Sequence, residues 1–148
     1  MTDLTRAFLG RGLAFPLTVG GRDLATAQYE EDIRQAVRII LGTNREERVM
    51  RPNFGAGLST FLFEPVSLAT AERLRVRILE ALVDWEARII VDTVSVAPMP
   101  GQSPAADIPP GFTPKPNGTA LLVDIQYRVR ATNAVRNMVF LFYLEEGR

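Results

Sequence analysis

Two stretches of the chain repeat apolar residues at the spacing of an amphipathic helix. The first begins near Thr26, a candidate N-cap, and ends at Gly42, a candidate C-cap. The second is predicted from about Ser67 to Trp85. The apolar positions that define these helices are Tyr29, Ile33, Ala36, Val37, Ile40 and Leu41 in the first, and Leu74, Ile78, Ala81, Leu82 and Trp85 in the second.

Three later stretches predict β-strands. Arg88–Ala97 is rich in β-branched residues and stops at a proline. Ala120–Arg130 alternates apolar and polar residues, as in a half-buried strand, whereas Val135–Leu144 is apolar on both alternating faces. The order of elements predicts an α+β fold, with two main helices packed on a small, mostly antiparallel sheet that ends in a C-terminal β-hairpin.

Two segments lack helical periodicity. Residues 1–25 are predicted to form an extended N-terminal segment, and residues 98–117, which hold seven of the ten prolines, are predicted to form a loop. The length of 148 residues suits one domain, so residues 1–148 are expected to fold as a unit.

Charge is balanced along the chain. The 17 basic and 17 acidic residues are interleaved on both helices, so no basic face is available for nucleic acid. Glu30, Glu31 and Asp32 suit the dipole of the first helix and are expected to lie on a solvated face. No apolar run is long enough for a membrane span, and the first residues do not resemble a secretion signal, which favours assembly in the cytoplasm without a membrane partner.

The composition excludes many enzyme chemistries. The chain has no cysteine and no histidine, which removes thiol nucleophiles, histidine-dependent triads and zinc sites built from nitrogen or sulfur ligands. Glycoside hydrolysis needs only two carboxyl groups, and Glu64 and Glu86, each beside aromatic residues, are the candidates for it. Capping or ion pairing is the ordinary role of such residues, and no calcium loop or phosphate-binding glycine motif accompanies them.

Two features indicate binding surfaces instead of a catalytic pocket. Glu86 and Arg88 flank the predicted exit from the second helix, where they can pair with each other or present a fixed acceptor and donor to another protein. The terminal strand Val135–Leu144 is either central and covered on both faces, or an edge to which another chain can add a strand.

The stretch from Tyr29 to Pro65 and the helix that follows it resemble the GPW/gp25 family of contractile-tail baseplate proteins. A second block, Trp85-Glu86-Ala87-Arg88-Ile89, is similar to the Glu-Pro-Arg motif of that family, with Ala87 in place of the proline that would stiffen the helix exit. The residues that carry the first block are Ile33, Ile40, Leu41, Thr43, Glu47, Arg48, Met50, Pro52, Phe54, Gly55, Leu58, Leu62, Phe63, Glu64 and Pro65.

The resemblance implies a structural, non-enzymatic part without cofactor or metal. Six copies per baseplate would join the wedge proteins, of the gp6/gp7-like kind, to the first ring of sheath protein, with central hub or tube proteins as further neighbours. Sheath arms would add as β-strands to the hairpin of a phage tail, a type VI secretion system or an extracellular injection particle. The partner-binding residues implied are Trp85, Glu86, Arg88, Pro52, Phe54, Glu64, Val135, Val139, Leu141 and Tyr143.

Two other functions remain as alternatives. Members of the family have been described as lysozymes, so a carboxylate-dependent peptidoglycan hydrolase is one of them. A regulatory adaptor that binds another protein through the same surface is the other, because a shared fold does not define a function.

Overall fold

The computed structural model describes residues 8–20, 23–65, 67–98 and 119–144. Short strands precede two helices, and three longer strands follow them. The elements are β1 (Arg11–Leu13), β2 (Val19–Gly20), β3 (Asp23–Leu24), β4 (Thr26–Gln28), α1 (Glu30–Gly42), a 3₁₀ turn (Leu58–Phe61), α2 (Leu68–Trp85), β5 (Ile89–Pro98), β6 (Thr119–Val129) and β7 (Val135–Leu144).

The first helix starts later than its sequence pattern predicts. Thr26 lies in β4 and pairs with Leu13 of β1, and its hydroxyl accepts a hydrogen bond from Arg11 Nε at 3.1 Å. Strand pairing therefore takes the residue that was expected to cap the helix, and Tyr29, with a φ of 59°, occupies the N-cap position of α1. The C-cap is Thr43, one residue after the expected Gly42.

The second helix has the predicted start and end. The Ser67 side chain accepts a hydrogen bond from the Thr70 backbone N–H at 3.1 Å, which satisfies one of the free donors of the first turn. The helix ends at Trp85, and α2 packs against β5. Its inward residues are Leu74, Ile78, Ala81 and Leu82.

The three long strands form an antiparallel sheet in the order β5-β6-β7. β6 alternates as predicted, and its inward side chains join Ile33 and Val37 of α1 and those of α2 in one apolar core. The α+β prediction is therefore confirmed. The inward residues of β6 are Leu121, Val123, Ile125, Tyr127 and Val129.

The predicted N-terminal segment and proline-rich loop are only partly described. Within residues 8–20 and 23–25 the chain is mainly extended, and β1 pairs with β4 while β2 pairs with β3. Of the predicted loop at 98–117, only Pro98 is among the described residues, as the last residue of β5.

Candidate protein-binding surfaces

The α2–β5 junction, Glu86–Arg88, holds a closed ion pair. Arg88 Nε donates to Glu86 Oε1 and Nη2 donates to Oε2, each at 2.7 Å, in the two-pronged geometry that suits a guanidinium and a carboxylate. The Arg88 backbone N–H also donates to Glu86 Oε1 at 3.2 Å. The Glu86 side chain is 5% exposed and that of Arg88 34%. Within this pair, Arg88 therefore offers the larger surface to another protein.

Two groups that the sequence pattern did not single out complete the environment of Arg88. Arg88 Nη1 donates to Asp32 Oδ2 at 2.7 Å and to the Leu9 carbonyl at 3.0 Å. Asp32 was expected on a solvated face, but its side chain is only 20% exposed and belongs to this ion-pair network. The sequence marks Asp32 only as part of the acidic first turn of α1, and the helix dipole alone explains such a turn.

The network keeps Arg88 charged. Its hydrogen bonds to Glu86, opposed by partial burial and reinforced by Asp32, raise the pKa of the Arg88 guanidinium above its ordinary value. Arginine is charged at neutral pH in any case, and these contacts favour the charged form further.

The loop that holds Pro52 and Phe54 packs against the end of α2 through an aromatic contact. The Phe54 and Trp85 ring centroids are 5.1 Å apart with the planes tilted by 58°, and the Arg48 guanidinium lies 3.8 Å from the centroid of the Phe54 ring. Phe54 is buried, whereas Pro52 is exposed. Gly55, with a φ of +101°, passes so close to the Thr43 carbonyl that a Cβ would lie 2.3 Å from its oxygen.

Glu64 precedes α2 in the chain and lies beside the first half of that helix. Its carboxylate is ion-paired with Arg73, whose guanidinium is 5.8 Å from the centroid of the Phe61 ring. A shallow groove of about 310 Å³ adjoins this pair and is lined by Thr60, Phe61, Glu72, Arg73, Val76, Arg77 and Glu80.

β7 is an edge strand of the described sheet. In an antiparallel pair, residues alternately point their main-chain groups toward the partner strand and away from it. The Val129 N–H donates to the Ala134 carbonyl at 3.1 Å, and the Arg130 N–H donates to the Arg88 carbonyl, toward β5, at 2.9 Å. Because this alternation continues along the register of the hairpin, the main-chain N–H and C=O groups of odd-numbered β7 residues point to the open edge. These residues include Val135, Asn137, Val139 and Leu141.

The side chains of β7 divide between the two faces of the sheet. Met138 and Phe142 are buried in the core, whereas Val135 is 65% exposed on the opposite face, with Val139 and Leu141 half-buried there. Tyr143 pairs with Ala120 through the backbone, and its side chain lies outside what the structure describes.

The structure thus brings some predicted residues together and separates others. Trp85, Phe54, Glu86 and Arg88 cluster at the end of α2, Glu64 lies beside the first half of that helix, and the β7 edge is on the far side of β6 from β5. Their predicted role in partner binding stays a prediction.

Comparison with known proteins decides the family. Residues 27–134 match the family model described as baseplate wedge protein gp25. The chain belongs to this family. The family membership that the sequence motifs predict is thereby confirmed, and it places the chain among the baseplate components of contractile, tail-like particles.

Two individual relatives are similar in sequence to this gp25-family chain. Baseplate protein W of Escherichia phage P2 is 31% identical over 94 residues, which cover 64% of this chain and 75% of that protein. A crystal structure from Geobacter sulfurreducens, described as that of a proposed tail lysozyme, has 38% identity and a TM-score of 0.65 over 82% of this chain and 96% of that one.

A second similar structure supports the fold alone. A chain of the anti-feeding prophage baseplate, solved by cryo-EM, has 19% identity and a TM-score of 0.63, with 97% of this chain and 92% of that one covered.

Among the described residues of the gp25-family chain, no helix is long and apolar enough to cross a membrane. The same residues contain no group of three or more acidic side chains placed to hold a metal ion.

Proposed function

We propose that this chain is a structural, non-enzymatic baseplate component that starts sheath assembly by accepting β-strands of sheath subunits along β7. The observation that carries the proposal is the open edge of β7, where alternate main-chain groups have no partner strand among the described residues. An added strand would gain affinity from these groups and register from the alternating side chains. Membership of the baseplate wedge family supports this assignment.

The second part of the proposal concerns the wedge. The α2–β5 junction exposes part of the Arg88 side chain, and the loop whose Phe54 contacts Trp85 exposes Pro52. A guanidinium held in place by several hydrogen bonds suits recognition of another protein. We assign this surface to wedge proteins and the β7 edge to sheath, so that six copies in a baseplate would connect the two layers around the central hub or tube.

A photo-crosslinking experiment tests strand addition. Because the chain has no cysteine, Asn137→Cys can carry a single maleimide-benzophenone label at the edge strand. Thr93→Cys is the matched control, since Thr93 is exposed on β5, in line with Gln126 and Asn137 but on the far side of β6 from the β7 edge. In assembled particles, irradiation is expected to join the label at position 137 to the sheath protein several-fold more efficiently than the label at position 93. Equal yields from the two positions, or no sheath adduct from position 137, would contradict the proposal.

The lysozyme alternative is favoured by the description of the Geobacter relative, which is 38% identical. Its geometric requirement is two carboxyl groups about 5 to 9.5 Å apart across one cleft. Glu64 is ion-paired with Arg73, and Glu86 lies thirteen positions after Arg73 at the end of α2, which corresponds to roughly 20 Å along the helix axis. This spacing, together with the engagement of both carboxylates by arginine, supports the structural role.

We predict no peptidoglycan hydrolysis by the purified protein. Glu64→Gln and Glu86→Gln preserve side-chain shape while they remove the carboxylate, so they should leave the measured release of muropeptides at the level of buffer, as in the unaltered protein. Turnover by the unaltered protein that disappears in either variant would establish the hydrolase instead.

A further inference from the structure

Residues 9–12 of the N-terminal segment lie beside the Asp32–Arg88 ion pair. A Cβ at position 12 would lie 2.6 Å from Asp32 Oδ1, so Gly12 leaves the space that the carboxylate occupies. A Cβ at position 10 would lie 3.4 Å from Arg88 Nη1, and Gly10 has a φ of +95°, which disfavours any larger residue. The path of this segment thus depends on two glycines beside the Asp32 and Arg88 side chains.

Three parts of the chain that are distant in sequence meet at the Arg88 guanidinium. Leu9 supplies a carbonyl from the N-terminal segment, Asp32 a carboxylate from the first turn of α1, and Glu86 a carboxylate from the junction itself. Glu86 alone could move together with Arg88, because only Ala87 separates them and the stiffening proline is absent. The contacts from Asp32 and Leu9 fix the guanidinium relative to other elements.

We propose that Asp32 is a positioning residue for the wedge-binding surface. With the Leu9 carbonyl, it holds Arg88 Nη1 so that the exposed part of the Arg88 side chain keeps one orientation toward the partner protein. The inference rests on the wedge-binding role proposed above for Arg88. It also gives the N-terminal segment a function: its backbone completes the support of Arg88 through Leu9 and leaves room for Asp32 at Gly12.

The test uses two independent perturbations of the same contact. Asp32→Asn removes the negative charge, and Gly12→Ala displaces the carboxylate by crowding Oδ1. Asp92→Asn is the matched control, because Asp92 also pairs with an arginine, Arg128, but on the sheet surface. Each variant is placed in the genome that encodes the chain, and its incorporation into baseplates is measured in purified particles. The loss of one charged contact predicts about tenfold less incorporation for Asp32→Asn and Gly12→Ala. The control, Asp92→Asn, is expected to enter baseplates as efficiently as the unaltered protein.

A spectroscopic measurement separates positioning from folding. In ¹⁵N-edited NMR spectra of the isolated protein, the Arg88 Nε–H signal should shift or exchange faster with water in both variants, while the dispersion of the backbone signals is retained. Global unfolding of both variants would overturn the inference, because Asp32 would then serve the fold.

Different results would refute the wedge-binding role of Arg88 and the positioning role of Asp32. A folded Arg88→Ala protein that enters baseplates normally would remove the wedge-binding role of Arg88 itself. If Arg88→Ala blocks incorporation while Asp32→Asn and Gly12→Ala behave like Asp92→Asn, the wedge-binding role stands and the positioning role of Asp32 is refuted.

Discussion

Val139→Pro is expected to yield a folded protein that no longer starts a sheath. The Val139 N–H points to the open edge of β7, so proline removes a donor that an added strand needs but leaves the hydrogen bonds between β6 and β7 in place. We expect a loss of about 1 kcal/mol in the free energy of unfolding from the restricted φ and the altered side chain. Electron microscopy of particles should show tubes and baseplates without attached sheath, or sheath polymerised separately.

Phe140→Pro is the matched control one residue away. The Phe140 N–H points toward Val123 of β6, and the Phe140 side chain packs against the core, so proline there removes a ladder hydrogen bond and a large apolar side chain and should cost about 3 kcal/mol or more. Circular dichroism and thermal unfolding distinguish this loss of fold from the specific loss at Val139. Normal numbers of sheathed particles from a folded Val139→Pro protein would refute strand addition and leave the chain as a wedge component only.

The sequence predicts elements well where their signals are local. The start of α2 follows from a Ser67 side chain that caps Thr70, and the faces of β6 follow from strict alternation between Leu121 and Val129. The start of α1 is mispredicted because β1 competes for Thr26 from thirteen residues earlier in the chain. A threonine before an apolar periodicity suits a helix cap and a strand equally, and only pairing decides between them.

In the candidate binding surfaces, too, the sequence predicts local contacts but not long-range ones. Glu86 and Arg88 are two residues apart, so their pairing could be predicted as one of two alternatives. Asp32 and Leu9 reach Arg88 across 56 and 79 positions, and no local pattern carries such a contact. Which β7 residues face the open edge depends on the hydrogen-bonding phase of the hairpin, and alternation of side chains alone does not define that phase.

Glu86→Ala is expected to destabilise the protein by about 2 kcal/mol. Removal of one partner from a buried ion pair costs about 3 to 5 kcal/mol, because the other charge is left without compensation. Here Asp32 and the Leu9 carbonyl still contact Arg88, and its side chain is 34% exposed, which lowers the expected cost. With a shift of about 2 to 4 °C per kcal/mol for a chain of this size, the melting temperature should fall by roughly 4 to 8 °C.

Asp92→Ala provides the control for burial. Asp92 and Arg128 form a similar two-pronged pair, with Arg128 Nη2 2.8 Å from Asp92 Oδ1, but the side chains are 29% and 41% exposed, respectively. A solvent-exposed ion pair of this kind contributes little to stability, so thermal unfolding of Asp92→Ala should be nearly unchanged. Equal losses in the two variants would mean that burial of Glu86 contributes nothing to stability.

If Glu86→Ala stays folded at the growth temperature yet fails to enter baseplates, the pair also serves the wedge surface, because a loss of about 2 kcal/mol leaves most of a typical domain's stability intact.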